Sequence, residues 1–534
     1  MANQLFYGDN LDVLRHSIAS ESVDLVYLDP PFNSQANYNV LFKAHSGQES
    51  EAQIEAFEDT WHWNDSAEQA FDDVMKSGNS DVAELLRALR AFLKETDMMA
   101  YLTMMAVRLL ELHRVLKSTG SLYLHCDPTA SHYLKILLDG VFGPEFFVTE
   151  IVWKRSSAHS DGKQGRRQHG RIHDTILFYS KSAEWKWNPI YTPYDDQYVE
   201  QFYKYIEEGT GRRYRLGDLT GPGGAAKGNP SYEVMGVTRF WRYSQEKMHQ
   251  LIHEGRIIQT KPGAVPAYKR YLDEMEGVPL QDMWTDIGPI GAQAQERLGY
   301  PTQKPLALLE RIVLASSNEG DTVLDPFCGC GTTIHAAQKL NRQWVGIDVT
   351  HLAISLIEKR LKDAFPGVKF EVHGTPKDLE GARALATQDK YQFQWWAVSL
   401  VDAVPYGGKK KGADSGIDGF IYFKPDGKET EKAIVSVKGG ENVNVAMIRD
   451  LAHVVQREKA KMGIFITLAE PTKPMQTEAI KEGYFETVFG KFPKIQLLTI
   501  EQLFSGKRPH IPNVDATAFK KAAVESTHKQ DTLF

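Results

Sequence analysis

The chain has 534 residues, of which 42% are hydrophobic and 25% charged, and a formal net charge of −7. It is too long for one core, so two to four domains are expected, and no apolar run reaches the length of a bilayer span. Cys126, Cys328 and Cys330 give neither a disulfide framework nor a paired zinc signature, and "MANQLFYGDN" is no signal peptide, so a cytoplasmic protein with reduced thiols is expected.

In chain order, "QLFYGDN" predicts a strand ending at Asp9, followed by a helix over 11–19. A second strand over 23–28 runs into Asp29-Pro30-Pro31-Phe32. Two adjacent prolines cannot continue a ladder, because neither carries an N–H. Residues 45–80 are acidic, with no Lys or Arg between Lys43 and Lys76, and read as an irregular, solvated excursion. Leu85, Leu86, Leu89 and Phe92, then Leu102, Met105, Leu109 and Leu112, keep helical spacing and predict two helices within 81–117. "GSLYLHCD" predicts a strand ending at Asp127, and "DTILFYS" another. From 153 to 299 the chain turns basic and Gly-rich. Lys154, Arg155, Lys163, Arg166, Arg167 and Arg171 fall within eighteen positions, opposed only by Asp161. Such clusters meet phosphates, although a solvated loop has the same composition. Alternating α and β signals return over 301–375, and a third unit starts near 380.

Residues 321–361 predict strand, Gly-containing turn, helix, strand and helix. Gly329 and Gly331 precede Thr332 and Thr333, which can cap the helix. The next strand ends at Asp348, 23 residues after Asp325, the spacing at which a nucleotide unit places an acid on ribose hydroxyls. A dinucleotide fingerprint needs glycine where Ile334 stands, and no Walker lysine is present. A helix N-terminus still favours an anion, and a carboxylate suffices. S-adenosylmethionine fits that set: Asp325 for its ammonium, the turn amides for its carboxylate, Asp348 for its ribose. A plain βαβ turn with incidental glycines explains this stretch equally well when it is taken alone.

"LDPPF" followed roughly 290 residues later by "LDPFCGCGTT" resembles the β class of amino-group DNA methyltransferases. In that class the catalytic block comes first, the target region next and the cofactor block last. "FYGDNLDVL" and "YPTQKPLALLERIVLASS" resemble its flanking motifs, and the stretch from "FEDTWHW" to "GSLYLHCDP" is similar to modification subunits of type III restriction systems. The resemblance implies a Rossmann-like α/β fold built from 1–150 and 300–379, with a target-recognition region inserted over 151–299. It implies cofactor contacts at Asp9, Asn10, Lys304, Asp325, Phe327, Gly329, Gly331, Thr332 and Asp348. The Asp29 carboxylate and the Pro30 carbonyl would accept the N–H groups of the target amine, making its nitrogen more nucleophilic. Pro31 would stiffen the turn, and Phe32 would stack on a base swung out of the duplex. Tyr38 fits the pocket and the core equally. An Asp opening the motif favours adenine N6 by resemblance, while the chemistry alone leaves cytosine N4 open. Lys154, Arg155, Arg166, Arg167 and Arg171 are the expected DNA contacts. His159, His169 and His173 lack the companions of a metal site.

"GADSGIDGFIYF" followed by "KAIVSVKGGENVNVAMIRDL" predicts a hairpin whose first strand begins at Asp418 and whose second holds Lys438. It resembles the PD-(D/E)xK nuclease fold in its Mrr-type form, over a domain of 388–534. Asp418 and Lys438 match that family, but Ser436 stands where a second metal ligand belongs, so Mg²⁺ at Asp418 would need help from Asp414 or a more distant acid. Two outcomes stay open: a bifunctional methylase-nuclease, or a nuclease fold kept for DNA binding or docking.

The resulting expectation is an S-adenosylmethionine-dependent, adenine-N6 DNA methyltransferase of a restriction-modification system. Double-stranded DNA is its expected partner, with a restriction subunit and a second copy of the chain as further candidates. The rivals are a cytosine-N4 enzyme, an idle DNA-binding protein and an RNA or protein methyltransferase. Every motif assigned to methyl transfer lies before Thr387, so a chain ending there is expected to remain active.

Overall fold

A computed structural model describes residues 3–31, 62–156, 167, 169–291, 294, 296–298, 300, 302–406, 416–426 and 429–512, and the backbone alone of 37–43 and 49–58. Its centre is a nine-stranded sheet of β1 (Gln4–Tyr7), β2 (Val23–Leu28), β3 (Leu116–Cys126), β4 (Phe147–Lys154), β5 (His173–Ser180), β6 (Met283–Trp284), β7 (Thr322–Asp325), β8 (Gln343–Asp348) and β9 (Glu371–His373). The spatial order is β6-β4-β5-β3-β2-β7-β8-β1-β9. The run from β3 to β9 is parallel, and β5 pairs antiparallel with β3 and β4. From the central pair β2 and β7, the chain proceeds outward in both directions. That reversal is where open α/β sheets leave a crevice at their carboxyl ends.

All six residues of β2 are buried, as expected for a strand covered by helices on both faces. Even Asp24 is 1% exposed. Burial alone would raise its pKa, but hydrogen bonds from Lys117 (2.7 Å), Lys186 (2.8 Å) and the Thr322 amide (2.9 Å) hold it below the usual carboxylate range.

Several boundaries differ from expectation. The first strand stops at Tyr7. Asp9 lies outside it and accepts from the Leu11 amide (2.8 Å), capping helix Asn10–Ser17. The acidic stretch is ordered rather than irregular: Asn37–Lys43 pairs with Glu49–Glu58, and Asp65–Lys76 is a helix capped by Asn64. That helix buries Ala67, Ala70, Phe71 and Val74 on one face and carries its acids on the other. Ser80–Leu93 and Asp97–Val115 are the two expected helices. β5, β6 and the end of β4 belong to the central sheet although they fall inside the 151–299 insertion. The basic excess of that region falls on residues 155–172 between β4 and β5, whereas β5 itself is buried from Asp174 to Ser180.

The residues of Pro189–Gln281 form a compact unit of their own. It holds a four-stranded sheet and a hairpin, Ser231–Val234 with Val237–Phe240, around Leu219, Val234, Trp241, Met248 and Leu251. Several of its cations are paired internally. Arg212 bonds Asp273 and Glu274, and Arg256 bonds Glu274.

Towards the C-terminus, β10 (Val404–Pro405), β11 (Gly419–Phe423), β12 (Glu431–Lys438), β13 (Met462–Thr467) and β14 (Ile495–Thr499) form a five-stranded sheet in that order. The first three are antiparallel neighbours, and the last two add in parallel through helices Val445–Arg457 and Lys473–Lys481. Among the described residues, no helix is long and apolar enough to cross a membrane.

Candidate active site

The carboxyl ends of β1, β2, β7 and β8 open into one cavity of about 310 Å³. Gly8, Asp9 and Asn10 line it from β1, and Tyr27, Asp29, Pro30 and Pro31 from β2. β7 contributes Asp325 to Cys330 with Thr332 and Thr333, and β8 contributes Asp348, Val349 and Thr350. Tyr300, Lys304 and Arg108 are also part of the wall. Two sequence blocks nearly 300 residues apart thus share one space, because β2 and β7 are paired neighbours.

The turn after β7 depends on its glycines. Gly329 (φ +49°) and Gly331 (φ +74°) take backbone conformations that side chains disfavour. A Cβ on Gly331 would lie 2.7 Å from Ile357 Cγ1. Gly331 therefore stands behind the cavity rather than in its lining. It is also the N-cap of helix Thr332–Lys339, so the expected capping by Thr332 and Thr333 is not what occurs. Both threonines are buried in the first turn, where amides have no partner inside the helix.

Besides Asp9, three carboxylates line the cavity at the ends of β2, β7 and β8. Asp325 is 3% exposed and accepts from the Phe327 amide at 3.0 Å. Burial first, then the neighbouring Asp29 and Asp348 charges, raise its pKa to about 7. Asp348 accepts from the Gly329 amide (3.0 Å) and from the amide and hydroxyl of Thr350 (2.9 Å each). Burial still lifts it to about 6. The Gly329 amide is thereby committed to Asp348 and not to a bound anion. Asp29 receives a hydrogen bond from Lys304 Nζ at its Oδ2. Lys304, carried over as a cofactor contact, thus sits on the carboxylate assigned to catalysis.

Arg108, Tyr300 and Tyr27 are among the lining residues that escaped sequence reasoning. Arg108, 3% exposed, donates to Asn10 Oδ1 (2.5 Å) and Asp9 Oδ2 (2.9 Å), while Asn10 Nδ2 donates to the Pro326 carbonyl (2.8 Å). Its only signal was a cation amid the apolar run of a Met-rich helix. Tyr300 lies against the turn, its Cε1 3.2 Å from where a Gly329 Cβ would be. Tyr27 stands 2.9 Å from His125 Nδ1, and His125 Nε2 lies 3.2 Å from Asp174.

Phe32, Arg166, Lys163, Asp161, His159 and Asp414 lie outside the described residues, as does the side chain of Tyr38. Lys154, Arg167 and Arg171 are exposed, and Arg171 donates to Thr129 Oγ1 (3.1 Å). Arg155 differs from that group. It pairs at 3.0 Å with buried Asp174, which makes it an anchor of β5. In the C-terminal sheet Asp418 lies just before β11, and its Oδ2 accepts from the Val437 amide at 2.6 Å. Ser436 is 5% exposed and Lys438 ends β12. Among the described residues, no three His, Cys, Asp or Glu side chains are grouped to hold a metal.

A DNA methylase family of the N6/N4 type matches residues 23–359, a span that takes in both blocks of the cavity. The chain belongs to this DNA methylase family. A second model, NACHT-associated inactive Restriction Endonuclease 1, matches residues 398–497. The C-terminal part is thus similar to an inactive restriction endonuclease domain. Among curated relatives, the Type II methyltransferase M.EcaI of Enterobacter cloacae is 29% identical over 67% of this methylase and 69% of its own length. The Type III restriction-modification enzyme StyLTI Mod subunit of Salmonella typhimurium is 27% identical over 64% of this methylase and 50% of its own. The DNA adenine methyltransferase YhdJ of Escherichia coli is 26% identical over 67% and 83%.

Proposed function

We propose that this methylase transfers a methyl group from S-adenosylmethionine to adenine N6 in DNA, within a restriction-modification system. One observation carries the proposal: Asp29 and Pro30 share a single cavity with Asp325, the Gly329 turn and Asp348. The cofactor supplies an electrophilic methyl on a sulfonium. Asp325 would hold its ammonium and Asp348 its ribose, with Phe327 and Asn10 as further wall. A helix N-terminus at Thr332 and Thr333 suits its carboxylate.

The target amine is a poor nucleophile, because its lone pair is conjugated into the ring. Asp29 and the Pro30 carbonyl accept its two N–H bonds, favouring a tetrahedral nitrogen that attacks in line. An N–C bond forms as the C–S bond breaks, and the amine then sheds one proton, for which Asp29 is the adjacent acceptor. Lys304 orients that carboxylate through Oδ2, so Oδ1 is the oxygen assigned to the amine.

Adenine over cytosine is supported by the opening Asp of the motif and by a relative named as a DNA adenine methyltransferase. A partner restriction subunit is supported by the Mod relative. Lys154, Arg167 and Arg171 are the proposed backbone contacts. We assign the C-terminal domain, by Asp418 and Lys438, to the Mrr type with its nuclease chemistry lost. The donors present do not suit Mg²⁺, since Asp418 is tied to a backbone amide and Ser436 is a buried hydroxyl. It is proposed to bind DNA or a partner without cutting.

The deciding experiment is expression in a methylase-free host, followed by DNA sequencing that detects modified bases. N6-methyladenine at one sequence context is expected. N4-methylcytosine would replace the base assignment, and unmodified DNA from abundant, folded chain would remove the activity.

A further inference from the structure

The first family match stops at residue 359, within helix His351–Ala364, and the second begins at 398, so neither includes residues 390–397. On one side of helix His351–Ala364 its Arg360, 4% exposed, donates to the Cys330 carbonyl (3.1 Å), to Thr332 Oγ1 (3.1 Å) and to His335 Nδ1 (3.2 Å). Its Ile357 fills the space beneath Gly331. On the other side, helix Lys390–Ser399 lies against it. The His351 amide donates to Gln392 Oε1 (3.1 Å), and Trp395 packs on a cluster of Tyr300, Cys330, Leu352 and Leu356. Tyr300 and Cys330 line the cavity.

Helix Lys390–Ser399 is two-sided. Phe393, Trp396 and Ala397 sit in the core of the C-terminal sheet with Val435, Val437 and Ile464. Gln392 and Trp395, three apart, occupy a neighbouring stripe turned to the methylase. Tyr7, at the end of β1, repeats the arrangement. Its ring stacks on His351 at 3.6 Å and packs on the C-terminal core, and the next residue, Gly8, lines the cavity.

We propose that Trp395 and Gln392 of the appended domain are positioning residues for the cofactor turn, so that cofactor binding and the packing of that domain are thermodynamically coupled. This rests on the cavity being the S-adenosylmethionine site. The coupling is reciprocal: what loosens helix Lys390–Ser399 weakens the cofactor, and bound cofactor stiffens the helix. On this proposal a chain ending at Thr387, expected to keep its activity, would bind the cofactor more weakly, because it lacks both side chains.

The test uses full-length protein. Trp395→Ala should raise the S-adenosylmethionine Kd by calorimetry, and the KM for S-adenosylmethionine, about tenfold. The kcat and the KM for DNA should stay unchanged. Trp395→Phe should restore most of the loss, and Gln392→Ala should show a smaller effect in the same direction. Tyr484→Ala, exposed on the far hairpin, should change nothing. Without any ligand, amide exchange over residues 328–332 should quicken in Trp395→Ala and Gln392→Ala. If wild type fails to bind S-adenosylmethionine, the cofactor assignment falls and the exchange data alone judge the coupling. Unchanged Kd and unchanged exchange in folded Trp395→Ala would overturn the proposal. Should that variant not fold, Gln392→Ala decides by the same two readouts.

Discussion

At the ends of β2, β7 and β8 three carboxylates meet around one cavity, and two of them are pushed up to about 7 and about 6. Beside β11 and β12 Asp418 likewise accepts from a backbone amide, that of Val437, with the hydroxyl of Ser436 buried nearby in sequence. Both places put an acid at the edge of a strand, and both match a motif by residue type. They differ in what the acid faces. In the first, side chains from four strands converge on open space that a ligand can fill. In the second, among the described residues, no three His, Cys, Asp or Glu side chains gather to hold a metal. A motif therefore becomes a site through convergence, and convergence is set by which strands are neighbours.

Substitutions can break that contrast. The largest effect belongs to Asp29→Ala, which should lower methyl transfer by about 10³-fold or more. Cofactor affinity should stay within a few-fold by calorimetry. Loss of cofactor binding with target binding intact would reverse the assignment. Asp348→Ala removes a charged acceptor assigned to the ribose. At about 1.5–3 kcal/mol for such a bond, a tenfold or greater rise in Kd is expected, and an unchanged Kd would take Asp348 out of the site.

Titration sharpens the same comparison. The folded pKa values of Asp325 and Asp348 lie above the ordinary carboxylate value of 3.8. The stability they contribute is thus full below that value and lost as pH rises through about 6 and about 7. A bound ammonium favours the charged form of Asp325. Cofactor affinity should therefore climb over that window, with protons released on binding, measured as buffer-dependent heats. Asp325→Asn should abolish the climb, and a flat pH profile in wild type would refute the linkage.

Asp418→Ala should behave as a structural change. It leaves the Val437 amide unpaired, lowering stability by about 1–3 kcal/mol in urea denaturation with methyl transfer kept. Plasmid should remain uncut with Mg²⁺ or Mn²⁺ in wild type, and cleavage that Lys438→Ala removes would restore the nuclease reading. The smallest effect is that of Arg167→Ala with Arg171→Ala. DNA affinity should fall modestly, and the slope of log affinity against log salt should drop by about one per lost phosphate contact. An unaltered slope would take this loop off the DNA backbone.

The acids of the site were legible because each ends a strand whose apolar run is plain in the sequence. Their shared cavity was legible only through the order of motifs, since no local signal reports that β2 and β7 are paired. Arg108, Tyr300 and Trp395 were not legible. Arg108 acts through partners 98 and 99 positions away, and the two aromatics look like ordinary core residues until the turn they support is seen. The helix over Asp65–Lys76 was missed because its acids, on the solvated face, outweighed four buried apolar positions at helical spacing. β5 was legible as "DTILFYS", but β4 was missed, and the basic composition of 153–299 concealed that both strands belong to the central sheet.

The sheet register also sets a timetable. Gln4 pairs with Val345 on one side and Glu371 on the other, so the first strand has both its neighbours among the last strands of the methylase. A chain emerging at about 5–20 residues per second exposes β1 for roughly 20–70 s before β8 arrives. During that interval an apolar strand with two open edges is exposed to the cell. The methylase half cannot close on the ribosome until its final strands are delivered. Chaperone dependence and the yield of soluble protein should accordingly follow the rate at which residues 320–373 are translated, not that of the first 150.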